Sequence, residues 1–460
     1  MRAGQIFGQE AYGKPMGHLS IFTRDEIESL GPPIPEELLD TGVSDDVLRD
    51  LALKHLARLV DPNSVAVAEK LNLPCVLIEE LLYQLYREKL IEMRLQSSAE
   101  ATRYAMLEHG WQRVAQLEKQ CGYVGPAPVS LADYRHMMRL QAKPSRPASM
   151  QSVRAAVRDL VLPKSLLETV GCAINSRSSL FLSGPPGTGK TALTQRINRA
   201  VFGFIWIPYA LEVDGEIIRI FDSHCHKTAP EISTLEHDRR WVKIERPLIT
   251  VGGDLTLEHT ALSWSDSSRF YEAPFQVKSN GGTLVIDDFG RQRVAPQDLL
   301  NRWILPLERH VDLLTLRNGR KIEFPFESLV VFSTNLEEHS FVDEAFLRRI
   351  AYRARIEQPS LPAYIEIFNR AASERGIQAD SSKVSHLMKK YEDDQRPMRG
   401  SEPVDLLNRL RDICLFRGCA LQLTNELIDV AWNSYFGAAN CINPRQQALG
   451  TAAHAGPVTV

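Results

Sequence analysis

An α/β core behind a smaller helical module is the fold class this sequence predicts, on three observations. The first is Gly184-Pro185-Pro186-Gly187-Thr188-Gly189-Lys190-Thr191, a complete GxxxxGK(S/T) loop. The apolar run Ser179-Leu180-Phe181-Leu182 leads into it, and a helix-compatible run from Ala192 to Val201 leaves it. Strand, glycine loop and helix in that order separate a phosphate site from a mere Gly/Pro turn. The second is a pair of apolar runs, Gly282-Thr-Leu-Val-Ile-Asp287-Asp288 and Leu329-Val-Val-Phe-Ser-Thr-Asn335, which read as buried strands with polar ends. The third is the helical spacing of Val47-Leu48, Leu51, His55-Leu56 and Leu59, which opens a compact module over residues 45–120.

Residues 1–44 lack periodicity, contain Gly31-Pro32-Pro33-Ile34-Pro35 and read as an extended arm. Within 45–120, Asp61-Pro62-Asn63-Ser64 is a turn and N-cap into a helix from Val65 to Leu71. Leu73-Pro74 opens a longer helix from Cys75 to Lys89. Two strand-like runs, Ile91 to Leu95 and Arg103 to Leu107, precede a last helix from Gly110 to Lys119. Three helices, a two-stranded wing and a helix resemble the winged helix-turn-helix fold. Pro- and Gly-punctuated residues 121–160 read as a connector with one helix, Leu131 to Gln141. The core is placed at 161–359. Helical runs at Tyr364–Arg375, Val384–Glu392, Pro403–Phe416 and Asn425–Tyr435 fill 360–437. The Gly/Ala/Pro-rich residues 438–460 are expected to be a disordered tail.

Composition narrows the class of partner. A formal charge of −3 over 460 residues gives no global pull towards nucleic acid or anionic membrane. The longest uncharged apolar run, Val201 to Leu211, falls well short of the ~20 residues that span a bilayer, so no membrane span is expected. No apolar signal region follows Met1, and seven scattered cysteines without a CxxC pair suit a reducing compartment; a cytoplasmic location is expected. Asp222-Ser-His224-Cys225-His226 offers metal ligands, but no second cluster follows at zinc-like spacing, and it reads as a polar loop. The helix that would read a DNA groove begins Cys75-Val-Leu-Ile-Glu79-Glu80, acidic and apolar rather than basic. Residues 45–120 carry ten Lys/Arg against twelve Asp/Glu, a net of −2. A protein-interaction module is therefore favoured over a DNA-binding one.

The nucleotide chemistry follows from the residue types. Backbone N–H groups of residues 184–191 and the following helix N-terminus favour phosphate. Lys190 is placed to reach the β- and γ-phosphates, and the Thr191 hydroxyl to hold Mg2+. Asp287 is placed to hold Mg2+ through water, and Asp288 to orient the attacking water. Asn335, ending the second buried strand, is expected between that water and the γ-phosphate. The paired Arg348 and Arg349 follow Asp343-Glu344-Ala345-Phe346-Leu347; a delocalised cation there suits phosphoryl charge on a neighbour's nucleotide.

These pieces, in this order, resemble the AAA+ ATPase superfamily over roughly residues 161–437. The resemblance implies a P-loop core of parallel sheet with helices on both faces, a small helical lid over 360–437, and ATP with Mg2+ as cofactors. It makes Gly184 to Thr191 the Walker A loop, Asp287 and Asp288 Walker B, Asn335 sensor 1, and Arg348 or Arg349 a finger acting in trans. Lys278-Ser-Asn-Gly-Gly-Thr-Leu-Val-Ile-Asp-Asp288 and the Asn318-Gly319 hairpin of 313–324, just before the sensor 1 strand, are similar to the branch that holds MoxR-type ATPases, magnesium chelatase and enhancer-binding activators. Asp-Asp-Phe-Gly-Arg-Gln (287 to 292) and Leu300-Asn-Arg-Trp-Ile-Leu-Pro-Leu307 resemble the hallmark of a further group of bacterial ATPases. No Gly-Ala-Phe-Thr-Gly-Ala loop is present, which argues against an enhancer-binding activator.

What the resemblance implies is an ATP-hydrolysing homo-oligomer, a hexameric ring, that remodels or assembles a protein partner. That partner would bind the N-terminal module or an insertion at 212–275. An ATP-regulated DNA-binding transcription factor and a slow nucleotide switch are the alternatives. Asp288 replaces the usual Glu and is one methylene shorter, so slow hydrolysis is expected. Pro403 lacks the arginine that often follows it, leaving Arg396 and Arg399 as substitutes for sensor 2. Walker A and Walker B are separated by a long segment that includes a hairpin over 210–221 and Arg246-Pro-Leu-Ile-Thr-Val-Gly-Gly253.

Overall fold

The computed structural model describes residues 31–60, 62–94, 102–142, 146–200, 203–230, 236–336 and 348–437, together with Thr23 and Asp25. The tail at 438–460 and most of the arm at 1–44 lie outside these residues. The described part of the arm is not extended throughout: it forms a 3-10 turn at Leu38–Thr41, and Leu38 and Val43 are buried.

Helices α1 (Asp45–Leu56), α2 (Ser64–Leu71) and α3 (Cys75–Arg87) come next, then antiparallel β1 (Ile91–Arg94) and β2 (Arg103–Met106), then α4 (Glu108–Gln120). Asn63 starts α2 by accepting the Ala66 N–H at 2.8 Å, and Asn72 ends it in the left-handed conformation. Leu77, Ile78, Leu81, Leu82 and Leu85 form the inner stripe of α3 and meet Leu48, Leu51 and Leu56 of α1. That core also takes in Ala210, Ile217 and Phe270 from far along the chain. The module is thus packed against a later part of the fold.

The chain continues through β3 (Val129–Ser130), α5 (Leu131–Gln141), α6 (Met150–Ala156), α7 (Lys164–Ser176), β4 (Leu180–Ser183) and α8 (Lys190–Ile197). Four strands follow: β5 (Phe204–Pro208), β6 (Ala210–Val213), β7 (Glu216–Arg219) and β8 (Trp241–Glu245). Then come β9 (Leu248–Val251), β10 (Ser263–Trp264), β11 (Tyr271–Glu272), α9 (Phe275–Lys278), β12 (Thr283–Ile286) and α10 (Pro296–Arg309). Hairpin β13 (Val311–Thr315) and β14 (Lys321–Pro325) precedes β15 (Leu329–Ser333) and β16 (Tyr352–Arg355). Helices α11 (Leu361–Glu374), α12 (Ser381–Asp393), α13 (Glu402–Arg417) and α14 (Asn425–Phe436) share a core of their own.

The central sheet has the order β16-β4-β15-β12-β9, and every pairing in it is parallel. Its strands alternate between two buried faces. Leu180, Leu182, Val285, Leu329 and Val331 face one core with α6, α7 and α8; Phe181, Leu284, Ile286, Val330 and Phe332 face the other with Trp303 of α10. This is an α/β fold with helices on both sides of one sheet. Among the described residues no helix is long and apolar enough to cross a membrane.

Two expectations need correction. Residues 248–251 do not belong to an insertion: β9 pairs with β12 and closes the sheet, so the expected insertion at 212–275 is interrupted by a core strand. Nor do residues 121–160 act only as a connector. β3 pairs with β6, α5 buries Tyr134, Met137 and Met138 in a second core, and α6 adds Val153 and Ala156 to the core of the central sheet. Both errors share a cause, because each short segment acquires its role from a strand far away in sequence.

That second core matters for the hairpin β13–β14. Leu314, Leu316, Ile322 and Phe324 are buried in it beside Tyr134, Met137, Ile205 and Ile218. Burying each such side chain contributes roughly 1.5–3 kcal/mol. Arg135 of α5 donates to Glu323 O at 2.7 Å, and Asn280 donates to Tyr134 Oη at 2.9 Å and Pro325 O at 2.8 Å. The hairpin is clamped along its length, with its Asn318-Gly319 turn at the tip, where Gly319 has φ +82°.

Candidate functional site

The loop after β4, the strand next to edge strand β16, opens at the C-terminal edge of the parallel sheet, where such sheets bind ligands. Glycine is required at its first position. Gly184 has φ +144°, and a Cβ there would lie 2.2 Å from Ile356 O. Gly189, left-handed at φ 94°, turns the chain into α8, so the helix begins at Lys190. The Lys190 ammonium is buried and folds back into the loop, donating to Gly184 O at 2.7 Å and Pro185 O at 2.8 Å. Burial pulls its pKa below the ordinary value, against the opposing pull of Asp287 and Asp288. Thr188 braces the loop by donating to Pro185 O at 2.9 Å.

Facing the loop are the ends of β12 and β15. Thr191 Oγ1 donates to Asp287 Oδ2 at 2.9 Å, and Asn335 Nδ2 donates to Asp288 Oδ1 at 2.9 Å. Four residues separated by up to 144 positions, Thr191, Asp287, Asp288 and Asn335, thus lie together. Asp288 is held in the left-handed conformation, φ 49°, which is uncommon for a residue with a side chain. Gln292 supports that turn, donating to Asp287 O at 3.0 Å and Asp288 O at 3.2 Å while accepting the Gly290 N–H at 2.7 Å. Thr334 fixes the strand ends: its N–H donates to Leu182 O at 2.9 Å and its hydroxyl to Phe289 O at 2.7 Å. Sequence reasoning gave Gln292 and Thr334 no role. Their only signal was membership of the quoted runs 287–292 and 329–335.

The lid helices reach the loop through the turn before α13. Ser401 N donates to Gly187 O at 3.0 Å. A Cβ on Gly187 would lie 2.9 Å from Ser401 Oγ and 3.3 Å from Arg399 Cβ. The turn itself is anchored by the buried Glu402, which accepts from Arg399 N at 3.0 Å and from Tyr391 Oη at 2.8 Å. The two arginines left open by the sequence are thereby separated. Arg399 lies against the phosphate loop, whereas Arg396 stacks 4.4 Å over Phe436 and lies 3.7 Å from Asp394.

Arg348 and Arg349 are exposed at the turn before β16. Arg349 pairs with Glu308 of α10 at 2.5 Å. Asp343 to Leu347, which the sequence places just ahead of them, lie outside the described residues. Among the described residues no group of His, Cys, Asp and Glu is arranged to hold a metal ion. At the Asp222 loop, Asp222 instead pairs with Lys278 at 2.7 Å, and His226 lies 2.8 Å from Lys278 O, closing the loop onto α9.

A family model described as "Domain of unknown function (DUF8689)" matches residues 360–434, the helical segment that carries Arg399. A search of curated proteins returns no match. Among solved structures, the chain is similar to a point mutant of RuvB from Thermotoga maritima at 15% identity, covering 63% of this chain and 73% of that one, with a TM-score of 0.36. It is also similar to NtrX from Brucella abortus in complex with ADP, at 14% identity, 60% and 56% coverage and a TM-score of 0.37. For NtrX in complex with ATP the values are 14%, 76% and 63%, and 0.35. At this level of superposition the functional reading rests on the chain's own loop, carboxylates and sheet order.

Proposed function

We propose that this chain is an AAA+ ATPase of the hairpin-bearing, MoxR-like branch. It would couple ATP hydrolysis to remodelling or assembly of a protein partner carried by its N-terminal, winged-helix-like module. The supporting observation is the convergence of Thr191 with Asp287 and of Asn335 with Asp288 at the mouth of the phosphate loop. The donor set suits the implied ligands. A threonine hydroxyl and a carboxylate are hard oxygen donors of the kind Mg2+ takes, and the buried Lys190 ammonium stands at the loop with two carbonyl partners that phosphate oxygens can replace. Bound Mg2+ would offset phosphate charge in the transition state.

The residues divide the work as follows. Gly184, Pro185, Pro186, Gly187, Thr188 and Gly189 wrap the phosphates with backbone N–H groups. Lys190 exchanges its two loop carbonyls for phosphate oxygens, and Thr191 and Asp287 hold the metal. Asp288 positions the attacking water through Oδ2, with its Oδ1 held by Asn335. Arg399 supplies positive charge from the lid. Replacing Arg399 with Ala is expected to lower turnover about a hundredfold, with lid unfolding unchanged; fluorescent-nucleotide titration and phosphate release check it.

Arg348 or Arg349 completes the site of a neighbouring subunit in a ring. That sharing is tested by mixing two inactive proteins, the Arg348→Ala/Arg349→Ala variant and Asp288→Asn. Each supplies what the other lacks, so phosphate release should reappear in the mixture. Activity absent from the mixture, or a wild-type protein that releases no phosphate from ATP, would sink the reading. The clamped hairpin carries the output: it leads straight into β15, just beyond which lies Asn335, and its sides pack with Leu211 and Ile218 of β6 and β7, whose Ala210 and Ile217 join the core of the N-terminal module.

A further inference from the structure

The outer face of α3 is unlike the outside of an ordinary surface helix. Val76, Glu79, Glu80, Tyr83, Tyr86 and Arg87 follow one another at helical spacing along it. Val76 is 73% exposed, Tyr83 53% and Tyr86 44%. Val65, at the start of α2, is also exposed at 47%. The opposite face of α3 already buries five leucine and isoleucine side chains, so this second apolar stripe contributes nothing to the core. Scattered surface apolar residues are normal, but a stripe of aromatic and aliphatic side chains on one helix face is the composition of a contact surface.

Arg87 stands at the C-terminal end of that stripe, and the charge in its middle selects the occupant. Glu79 and Glu80 sit between Val76 and Tyr83, and Glu79 Oε1 is held by the Ser64 hydroxyl at 3.4 Å. Two carboxylates in the middle of the face repel nucleic-acid phosphates, although this is the helix that a DNA-binding module of similar layout would insert into a groove. They complement cations instead. We infer that the outer face of α3 is the docking surface for a basic amphipathic segment of a partner protein. Its Lys or Arg residues pair with Glu79 and Glu80, and its apolar residues pack on Val76, Tyr83 and Tyr86. The inference deepens the proposed function and rests on it for the consequence that ATP turnover acts on the docked partner. The face itself is welded through Ala210, Ile217 and Phe270 to the body that holds the hairpin.

The test uses the full chain and three fluorescent probes: a synthetic Leu/Lys amphipathic peptide, its Leu/Glu counterpart and a duplex DNA. Binding is read by anisotropy without nucleotide, and phosphate release is measured separately on the same samples. The Leu/Lys peptide should bind, more weakly at high salt, and the Leu/Glu peptide should not. Tyr83→Ala should weaken binding at least about tenfold, and Glu79→Lys with Glu80→Lys should abolish it, with circular dichroism and ATP turnover unchanged. Absence of Leu/Lys binding, binding unaltered by these variants, or DNA binding that Tyr83→Ala removes would each overturn the inference. Because binding is read without ATP, it can fail while hydrolysis stands, and hydrolysis can fail while binding stands.

Discussion

Asp288→Asn should retain bound nucleotide and hydrolyse it far more slowly, while Lys190→Ala should weaken nucleotide binding itself. The two residues are close enough to interact electrostatically, but the proposed function has them act at different stages. In the proposed function Asp288 acts in the chemical step, and its substitution would remove the carboxylate assigned to orient water; positioned acid–base groups contribute typically 10²–10⁴-fold, so turnover should fall by about that factor. Asn335 donates to Asp288 Oδ1 in the wild type, and an amide oxygen can still accept that bond, which keeps the turn intact. Lys190 is assigned to binding in the proposed function. Its ammonium already makes two hydrogen bonds to loop carbonyls, and these are the donors that phosphate oxygens would take over. A charged hydrogen bond contributes about 1.5–3 kcal/mol, so affinity should fall roughly ten- to hundredfold. Nucleotide titration and single-turnover phosphate release separate the two outcomes. Unchanged turnover in both Asp288→Asn and Asp288→Glu would remove Asp288 from the mechanism.

Arg240→Ala should be among the most destabilising single substitutions in the chain, costing about 3–5 kcal/mol. Arg240 and Asp238 are 3% and 2% exposed. The guanidinium donates to Asp238 Oδ1 at 3.1 Å and Oδ2 at 2.8 Å, and also to Thr41 O at 2.9 Å and Pro128 O at 3.2 Å. Truncation leaves a buried carboxylate without its cation and two carbonyls without a donor. Three segments remote in sequence, the end of the arm, the start of β3 and the turn before β8, would lose their common tie. Arg320→Ala is the control. Its partner Asp214 lies 2.5 Å away, but the arginine is more than half exposed, so the loss should stay below about 1 kcal/mol. Urea unfolding monitored by tryptophan fluorescence compares the two; equal shifts would contradict the role given to Arg240.

Much of the candidate site was legible because its residues lie in contiguous runs. The phosphate loop needs its glycines at fixed positions, and a strand that ends in Asp287-Asp288 or in Thr334-Asn335 delivers those side chains to the same sheet edge whatever surrounds it. The helices of the N-terminal module and the lid were legible for a related reason, since each buries one stripe at helical spacing. β9 was not legible as a core strand. Leu248 to Val251 is a four-residue run, and only its parallel pairing with Thr283 to Ile286 distinguishes it from the strands around it. Likewise the contacts of Gln292, Ser401 and Glu402 run through backbone N–H and C=O groups, and a backbone group has no letter in the sequence.

The sequence by itself determined the glycine loop at 184–191, the paired carboxylates Asp287 and Asp288, the strand-end Asn335, the α/β class and the helical segments on either side. Local spacing and backbone sterics are enough for those. Only the tertiary structure decided that Arg399 rather than Arg396 lies against the loop. It alone decided that the hairpin is clamped instead of free, and that β9 completes the sheet while 129–141 joins a second core. Each of those outcomes depends on which distant segment supplies the buried neighbour, and burial is a property of the assembled surfaces, not of any one stretch of chain.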